Sequence, residues 1–305
     1  MYDIIIIGGG PAGMTAALYA LRNGKTALVV EKSGFGGQIT HSPKVENYPG
    51  TLQMSGNQFA DSMLDQILAQ GAEIELETAI AVDDLGETKV VRTEEGSAFE
   101  GRAVVLATGV KHRMLGLEGE EALVGEGISF CAVCDGDFYS GQTVCVAGGG
   151  NSALQEAILL AEKCREVVIL QDLPQLTGEQ RLQDVLRARD NVRAICDTKL
   201  TRLVTEGGAL RGVEIESRTT GDKQVVACDG LFVAIGLIPE NGPFAALAEL
   251  NDWGYFASGE DCLTKTPGVY VAGDCRSKGV RQLTTAVADG ATAALAACRY
   301  INERF

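Results

Sequence analysis

The chain has 305 residues, of which 26 are Lys or Arg and 41 are Asp or Glu, so its formal net charge at neutral pH is −15. At roughly 150 residues per domain this length predicts about two domains, and an apolar fraction of 46% is enough to fill their cores. Because nucleic acids and anionic membranes bind proteins mainly through Lys and Arg, the acidic balance argues against both as partners.

The N-terminal segment has the pattern of a buried strand, a glycine turn, a helix and a second strand. Residues 3–7 are a β-branched run, residues 14–23 predict a helix, and residues 26–31 predict the next strand. This order is typical of a parallel βαβ unit, whose central strand is buried on both faces. Residues 4–21 carry no charge, but glycines and Pro11 interrupt them, which argues against a membrane span or a signal peptide.

The turn after the first strand carries a dinucleotide-binding fingerprint, Gly8-x-Gly10-x-x-Gly13, with Glu31 following at the end of the second strand. The first glycine permits a tight turn, the second lets backbone N–H groups approach a pyrophosphate, and the third lets the helix pack on the strand. The helix N-terminus adds partial positive charge, and Glu31 is expected to accept hydrogen bonds from an adenosine ribose. The context favours a dinucleotide site over a purely structural turn.

A single CxxC motif follows this strand, turn and helix pattern and precedes a second pattern of the same kind. Cys131 and Cys134 are its cysteines, and Asp135 follows directly. A zinc site would need further ligands, but the only histidines, His41 and His112, are isolated in the sequence, so we expect no metal site. The spacing suits a reversible disulfide, with Asp135 as a general acid. Two merely buried thiols are the alternative.

The strand, turn and helix pattern then recurs. Residues 142–147 predict a strand, Gly148-x-Gly150-x-x-Ala153 a second glycine turn, and residues 152–163 a second helix before the strand at 166–170. An alanine at the third motif position still permits close helix packing. The chain is therefore predicted to hold two dinucleotide-type units.

The residues after the second repeat disfavour NADPH. Gln171, Asp172, Leu173 and Pro174 follow the strand, and no Lys or Arg occurs until Arg181. A 2′-phosphate needs a cation at this place, and Asp172 would repel it. Asp172 is instead placed to hold the ribose 2′-hydroxyl of NADH. The alternative is a retained fold that has lost its second nucleotide, with Asp172 as a solvated loop acid.

Three further apolar strands are predicted to end at glycine: residues 103–106, 231–235 and 269–272. Ligands in open α/β sheets bind beyond the carboxyl ends of the strands, so these three ends are candidate ligand edges. The charge-rich segments 83–102 and 205–229 are expected to form hairpins attached to each sheet.

The remaining cysteines are scattered singly, unlike the closely spaced framework of a small secreted domain. This distribution predicts a protein of the reducing cytoplasm. The seven are Cys145, Cys164, Cys196, Cys228, Cys262, Cys275 and Cys298.

One intact dinucleotide motif, one altered motif and a single redox CxxC together resemble the low-molecular-weight thioredoxin reductases, the FAD-dependent enzymes of the bacterial type. The similarity spans nearly the whole chain and includes residues 36–38, 45–50, 107–109, 232–236, 273–274 and 281–282. The resemblance implies that FAD is surrounded by the first glycine motif and by Glu31, Gln38, Asn47, Thr108, Gly109, Asp274, Arg281 and Gln282.

The resemblance also implies the fold class and the domain organisation. We expect an α/β protein with two Rossmann-like domains of the FAD/NAD(P) type, the second inserted in the first. Residues 1–112 with 244–305 would bind FAD, and residues 113–243 would form the inserted NAD(P)H-type domain that carries the CxxC. A homodimer with two mobile lobes is implied as well.

By resemblance, the family mechanism gives roles to the two cysteines of the motif and to the aspartate that follows them. Cys134 would face the flavin, Cys131 would attack the disulfide of a thioredoxin-like partner, and Asp135 would supply a proton. The alternatives from other classes are a redox sensor that keeps FAD and a disulfide without turnover, and a flavin oxidase.

One departure from the family bears on the electron donor. NADPH-dependent members carry His-Arg-Arg-x-x-x-Arg where this chain has Gln171, Asp172, Leu173 and Thr177. The change resembles the ferredoxin-dependent flavin thioredoxin reductases, with an NADH-dependent enzyme as the alternative. Ferredoxins are usually acidic, so the net charge of −15 is a difficulty. Residues 181–202 hold six basic and three acidic side chains, and we favour an ordinary solvated helix face over a ferredoxin-binding surface for them.

Overall fold

The computed structural model describes residues 1–42 and 44–305. Its strands are β1 (Tyr2–Ile7), β2 (Ala27–Val30), β3 (Glu73–Glu75), β4 (Ala79–Asp84), β5 (Lys89–Thr93), β6 (Ala98–Leu106), β7 (Val110–His112), β8 (Ile128–Ser129), β9 (Thr143–Ala147), β10 (Glu166–Leu170), β11 (Val192–Ile195), β12 (Thr198–Glu206), β13 (Ala209–Ser217), β14 (Lys223–Ala227), β15 (Gly230–Val233), β16 (Leu237–Pro239) and β17 (Val269–Val271). The α-helices are α1 (Pro11–Arg22), α2 (Gly56–Ala69), α3 (Ala132–Asp135), α4 (Asn151–Ala161), α5 (Gln180–Arg187) and α6 (Leu283–Arg304).

The chain separates into two compact units. The first comprises Met1–Lys111 and Ile238–Phe305, and the second comprises His112–Leu237. The sequence placed the corresponding boundaries after residue 112 and before residue 244. Among the helices of the described residues, none has the length and apolarity that crossing a membrane requires.

The first unit is built on a sheet in the order β3-β2-β1-β6-β5-β4, with β17 also paired to β6. Strands β3, β2, β1, β6 and β17 are parallel, whereas β4 and β5 are antiparallel additions. The segment 83–102 predicted as a hairpin contains β5 and the start of β6, which pair antiparallel, but only the last two residues of β4. Ile4 and Ile6 of β1 belong to the core that includes residues of α1 and α6, and Ile5 and Ile7 belong to the core on the opposite face. The all-apolar strand is thus explained by burial on both sides.

Helix α1 begins at Pro11, three residues before the predicted start. Pro11 is at the first helical position, where its fixed φ suits the helix and its missing N–H is not needed, and Gly10 is the extended N-cap. Helix α6 packs closely against α1, since a Cβ built on Gly290 would lie 2.2 Å from the carbonyl oxygen of Ala12.

The second unit repeats this scheme. Its parallel sheet has the order β11-β10-β9-β15-β8, and a second sheet, β12-β13-β14, is antiparallel. The segment 205–229 predicted as a hairpin contains β13 and β14, whereas β12 begins before it. The β9-α4-β10 segment of this unit corresponds to β1-α1-β2 of the first. The predicted α/β class and the predicted pair of Rossmann-like units are confirmed.

Candidate functional site

The first glycine turn has the geometry of a phosphate cradle. A Cβ on Gly8, where φ is +109°, would lie 2.3 Å from the Ala107 oxygen, and one on Gly13 would lie 1.8 Å from the Gly8 oxygen. Packing of the protein itself therefore requires glycine at both positions. A Cβ on Gly10 would meet nothing nearer than the Gly36 oxygen at 4.0 Å. The space in front of Gly10 is the space that a pyrophosphate needs.

The start of α1 adds favourable electrostatics to this cradle. Among the described residues, no side chain caps the helix N-terminus and no acidic residue lies in its first turn. The free backbone N–H groups and the helix dipole therefore favour an anion there.

Glu31 is held against the turn at the end of β2. Its side chain is buried, and its Oε2 accepts the Gly9 N–H at 2.6 Å while its Oε1 accepts the Ser33 N–H at 2.9 Å. The Ser33 hydroxyl also donates to Oε1 at 3.3 Å, so the lone pair that remains for a ribose hydroxyl is on Oε2.

Asp274 follows β17 at the same edge of the sheet, with one carboxylate oxygen unpaired. Its Oδ1 is buried and has no hydrogen-bond partner within the described part of the chain. Burial raises the pKa of Asp274 above its usual value, although Lys278 and Arg281 partly oppose the shift. Buried polar atoms are almost always paired, so an unpaired acceptor marks a place where a ligand hydroxyl fits.

Thr108 and Gly109 follow β6, and Thr108 is positioned by a residue that the sequence interpretation missed. The Thr108 hydroxyl donates to the Asn241 Oδ1 at 2.8 Å. Asn241 is fully buried and donates to the carbonyls of Gly254 at 2.9 Å and Cys275 at 2.8 Å. A lone Asn between Glu240 and Gly242 reads as an ordinary turn residue, so no local signal identified it.

The Arg281 side chain is hydrogen-bonded to backbone carbonyl groups. Its guanidinium donates to the carbonyls of Asp274, Arg276 and Lys278, each at 3.2 Å, and lies 4.2 Å from the ring centre of Tyr255. These donors hold the loop between β17 and α6, and the contact of Arg281 with the cofactor stays a prediction.

The remaining residues predicted around the cofactor lie near the surface. Gln38 is exposed on a 3₁₀ turn at Gly37–His41. Asn47 is exposed and donates to the Gln282 Oε1 at 3.3 Å, and Gln282 is the N-cap residue of α6. Their contact with a cofactor stays a prediction.

The second unit carries the disulfide. Cys131 and Cys134 are bonded to each other with their Cα atoms 5.3 Å apart, unlike the alternative of two separate buried thiols. Cys131 is the N-cap residue of α3, and the Cys134 N–H donates to the Cys131 Sγ at 3.2 Å.

Asp135 is a buried carboxyl beside this pair. Its Oδ2 accepts the Ser129 hydroxyl at 2.6 Å, and the Ser129 oxygen accepts the Cys131 N–H at 3.1 Å. The Asp135 Oδ1 is buried without a partner among the described residues. Burial raises the pKa of Asp135, opposed by the Ser129 hydrogen bond. A carboxyl that keeps its proton to higher pH can act as a general acid.

Glu156 of α4 is a second carboxyl at the disulfide that the sequence interpretation missed. Its carboxylate accepts the N–H of Ala132, the residue after Cys131. Burial raises the pKa of Glu156, the Ala132 hydrogen bond opposes the shift, and the nearby Asp135 adds to it. Only the fold brings this residue to the motif, so it had no local signal beyond being a glutamate on a predicted helix.

The second glycine turn repeats the first in shape. A Cβ on Gly148, where φ is +122°, would lie 2.5 Å from the Ala234 oxygen, whereas one on Gly150 would meet only the Thr177 hydroxyl at 3.9 Å. The cradle of the second unit is therefore intact.

The residue that corresponds to Glu31 is Gln171 and not Asp172. Gly148 donates to the Leu170 carbonyl as Gly8 donates to that of Val30, so Gln171 is the next residue along the chain. Gln171 is buried, whereas Asp172 is exposed and pairs with Arg218 at 3.2 Å. Asp172 therefore lies one residue beyond the position that corresponds to Glu31, and its contact with a nucleotide stays a prediction.

The basic residues predicted as one helix face are spread over α5, β11 and β12. Most of them are neutralised by acidic neighbours at the surface. The pairs are Arg181–Glu179, Arg187–Asp184, Arg189–Glu162, Arg193–Glu166 and Arg202–Glu214.

Known proteins are similar to this chain over nearly its whole length. A family model described as pyridine nucleotide-disulphide oxidoreductase matches residues 2–290. A thioredoxin reductase of Listeria monocytogenes is 38% identical over 303 residues, which cover 99% of this chain and 95% of that protein. The "34.2 kDa protein in rubredoxin operon" of Clostridium pasteurianum is 39% identical over 302 residues, with 99% and 98% covered. The crystal structure of thioredoxin reductase from Streptococcus pyogenes matches with a TM-score of 0.94 at 37% identity and covers 99% of each chain.

Replacing Gly10 by Val tests the first cradle. Gly10 has φ −76° and ψ −179°, an extended conformation that Val adopts without strain. We expect the free energy of unfolding of the flavin-free protein to fall by about 1 kcal/mol, because Gly10 is the N-cap residue of α1 and Val is a poor N-cap. Binding of FAD, measured by the ratio of flavin to protein absorbance, should be lost because the side chain fills the cradle.

The matched control is Gly13→Ala, whose Cβ would lie 1.8 Å from the Gly8 oxygen. That variant should lose stability in the flavin-free protein as well. Full flavin content in Gly10→Val would show that the cradle does not hold the pyrophosphate.

Proposed function

Because the chain belongs to the pyridine nucleotide-disulphide oxidoreductase family, and within it to the bacterial-type thioredoxin reductases, we propose that it reduces a thioredoxin-like protein through its Cys131–Cys134 pair. Members of this family are FAD flavoproteins that act on a disulfide. The observation that carries the proposal is a disulfide beside a buried carboxyl, Asp135, with one unpaired oxygen.

The first unit fits FAD. The space before Gly10 suits the pyrophosphate, Glu31 suits the ribose, and the unpaired oxygen of Asp274 suits a hydroxyl of the cofactor. FAD, when bound, supplies the electron pair that opens the disulfide. We include Gln38, Asn47, Thr108, Gly109 and Gln282 among its surroundings in this proposal.

The chain's own residues carry the disulfide chemistry. Breaking the Cys131–Cys134 bond takes up two electrons and leaves two thiolates, of which Asp135 protonates that of Cys134. The Cys131 thiolate then attacks the partner's disulfide, forms a mixed disulfide and expels the partner's other sulfur as a thiolate. The Cys134 thiol returns its proton to Asp135 and attacks Cys131, which re-forms the internal bond and expels the partner's second sulfur. The two partner thiolates take up two protons from solvent, so the partner leaves as a dithiol.

We propose reduced ferredoxin as the electron donor, with NADH as the alternative. Gln171, Asp172, Leu173 and Thr177 offer no cation to a 2′-phosphate, and Arg218 is already paired with Asp172. The ion-paired basic residues of α5, β11 and β12 do not form a surface for an acidic donor, so the proposal does not place ferredoxin there. A homodimer in the cytoplasm is part of the same proposal.

Anaerobic mixing of the flavoprotein with each donor tests this assignment. We expect the flavin absorbance to bleach rapidly with reduced ferredoxin and not with NADPH, because no cation recognises the 2′-phosphate. Rapid bleaching by NADPH would overturn the assignment, and rapid bleaching by NADH alone would select the alternative. In Asp172→Arg the new guanidinium and the released Arg218 both become available, so bleaching by NADPH should accelerate in that variant.

The variant Cys134→Ser tests the route through the disulfide. We expect it to keep its flavin, because Cys134 belongs to the second unit, and to lose thioredoxin reduction completely in a steady-state assay. Cys196→Ser, which changes a partly exposed free thiol, is the control and should retain full turnover. Turnover in Cys134→Ser would refute the mechanism, and absence of turnover in the unmodified enzyme would favour the redox sensor.

The pH dependence tests Asp135. Burial raises its pKa, so the protonated acid persists to higher pH than usual and is lost as the pH rises through the raised pKa. The rate of disulfide opening, followed by stopped flow after flavin reduction, should fall over that rise. In Asp135→Asn this limb should vanish and the rate should drop by roughly 100-fold, a typical contribution of a general acid. An unchanged profile would exclude the role.

A further inference from the structure

Asp289 makes most of the carboxylate contacts that hold the loop between β17 and α6, and Glu260 adds one contact to the Arg276 Nη2 at 3.2 Å. The Asp289 Oδ2 accepts three donors: the Gly273 N–H at 3.0 Å, the Arg276 Nε at 2.7 Å and the Lys278 Nζ at 2.9 Å. Its Oδ1 accepts the Arg276 Nη2 at 2.9 Å. All of these donors flank Asp274 along the chain, and Asp289 itself belongs to the rigid helix α6.

This cluster is buried to an unusual degree for charged groups. The side chains of Asp289, Arg276 and Lys278 are 7%, 2% and 6% exposed. Burial alone would raise the pKa of Asp289, but the hydrogen bonds from Arg276 and Lys278 outweigh it and lower the pKa. Buried ion clusters give little net stability compared with apolar packing, so stability alone is a poor explanation for one here.

Arg281 holds the same loop by donating to the backbone carbonyl groups of that loop. It donates to the carbonyls of Asp274, Arg276 and Lys278, the segment that Asp289 binds through its donors. The loop is therefore fixed in two ways. Asp289 accepts from its N–H and side-chain donors, and Arg281 donates to its carbonyl groups. The residue it presents is Asp274, whose Oδ1 has no partner among the described residues.

We propose that Asp289 is a positioning residue for flavin binding, acting through Gly273, Arg276 and Lys278 to hold the Asp274 carboxyl ready for a cofactor hydroxyl. Arg281 belongs to the same clamp, because it donates to the carbonyl groups of that loop. Preorganisation lowers the ordering cost that binding would otherwise carry. The inference rests on FAD as the cofactor and adds residues that act through Asp274.

The test measures the dissociation constant of FAD on deflavinated protein by quenching of flavin fluorescence. Asp289→Asn keeps the shape but removes the charge and sets an amide against converging donors. We expect the dissociation constant to rise by roughly 10-fold or more, the size typical when a residue behind a direct ligand is lost. Lys278→Met removes one donor only and should give a smaller rise of roughly 3-fold.

The matched control is Lys89→Met in β5, which breaks another ion pair of the same unit, between the buried Lys89 and the exposed Asp84 at 2.6 Å. Its dissociation constant should stay within roughly twofold of the unmodified protein, as for independent sites. Melting temperatures with and without FAD complete the test, because a merely structural role lowers both equally.

An unchanged dissociation constant in both Asp289→Asn and Lys278→Met would overturn the inference. If Asp289→Asn does not fold, Lys278→Met alone decides between the outcomes. Failure of the unmodified protein to bind FAD is a different result, since it would contradict the proposed function itself.

Discussion

The close approach of backbone segments around Ala12 is the constraint on which the first unit depends. A Cβ on Gly290 of α6 would lie 2.2 Å from the Ala12 oxygen, and one on Gly273 would lie 2.8 Å from the Ala12 Cβ. The start of α1 is thus packed directly against both α6 and the turn that presents Asp274. This packing places the phosphate cradle and the Asp274 carboxyl in a fixed relation within one unit, because interiors at this density do not deform easily.

The two units use one backbone scheme for different chemistry. In both, the strand, the glycine turn and the helix leave an open position at the second glycine of the motif, Gly10 or Gly150. The two units differ at the end of the strand that follows the helix. In the first unit β2 is followed by Glu31, whereas in the second β10 is followed by the neutral Gln171. Backbone geometry provides a place for a dinucleotide, whereas the side chains at the strand end decide which one is recognised.

The sequence was sufficient for the parts of the molecule that local pattern controls. Apolar runs, glycine spacing and the CxxC gave the repeat, the cradles and the disulfide, since each depends on neighbours within a few residues. Asn241, Glu156 and Asp289 could not be found in this way, because their partners are 24 to 133 residues away or depend on a loop conformation. The one-residue offset of Asp172 has a similar origin, because strand ends are defined by hydrogen bonds that spacing alone does not fix.

Helix α4 joins two features that were described separately. Its N-terminus forms part of the second glycine turn, and its Glu156 holds the N–H group next to Cys131. The helix therefore supports the disulfide motif whether or not a nucleotide binds at the N-terminus of the helix. The position of Glu156 beside the disulfide motif thus constrains the register of this helix, whichever electron donor the protein uses.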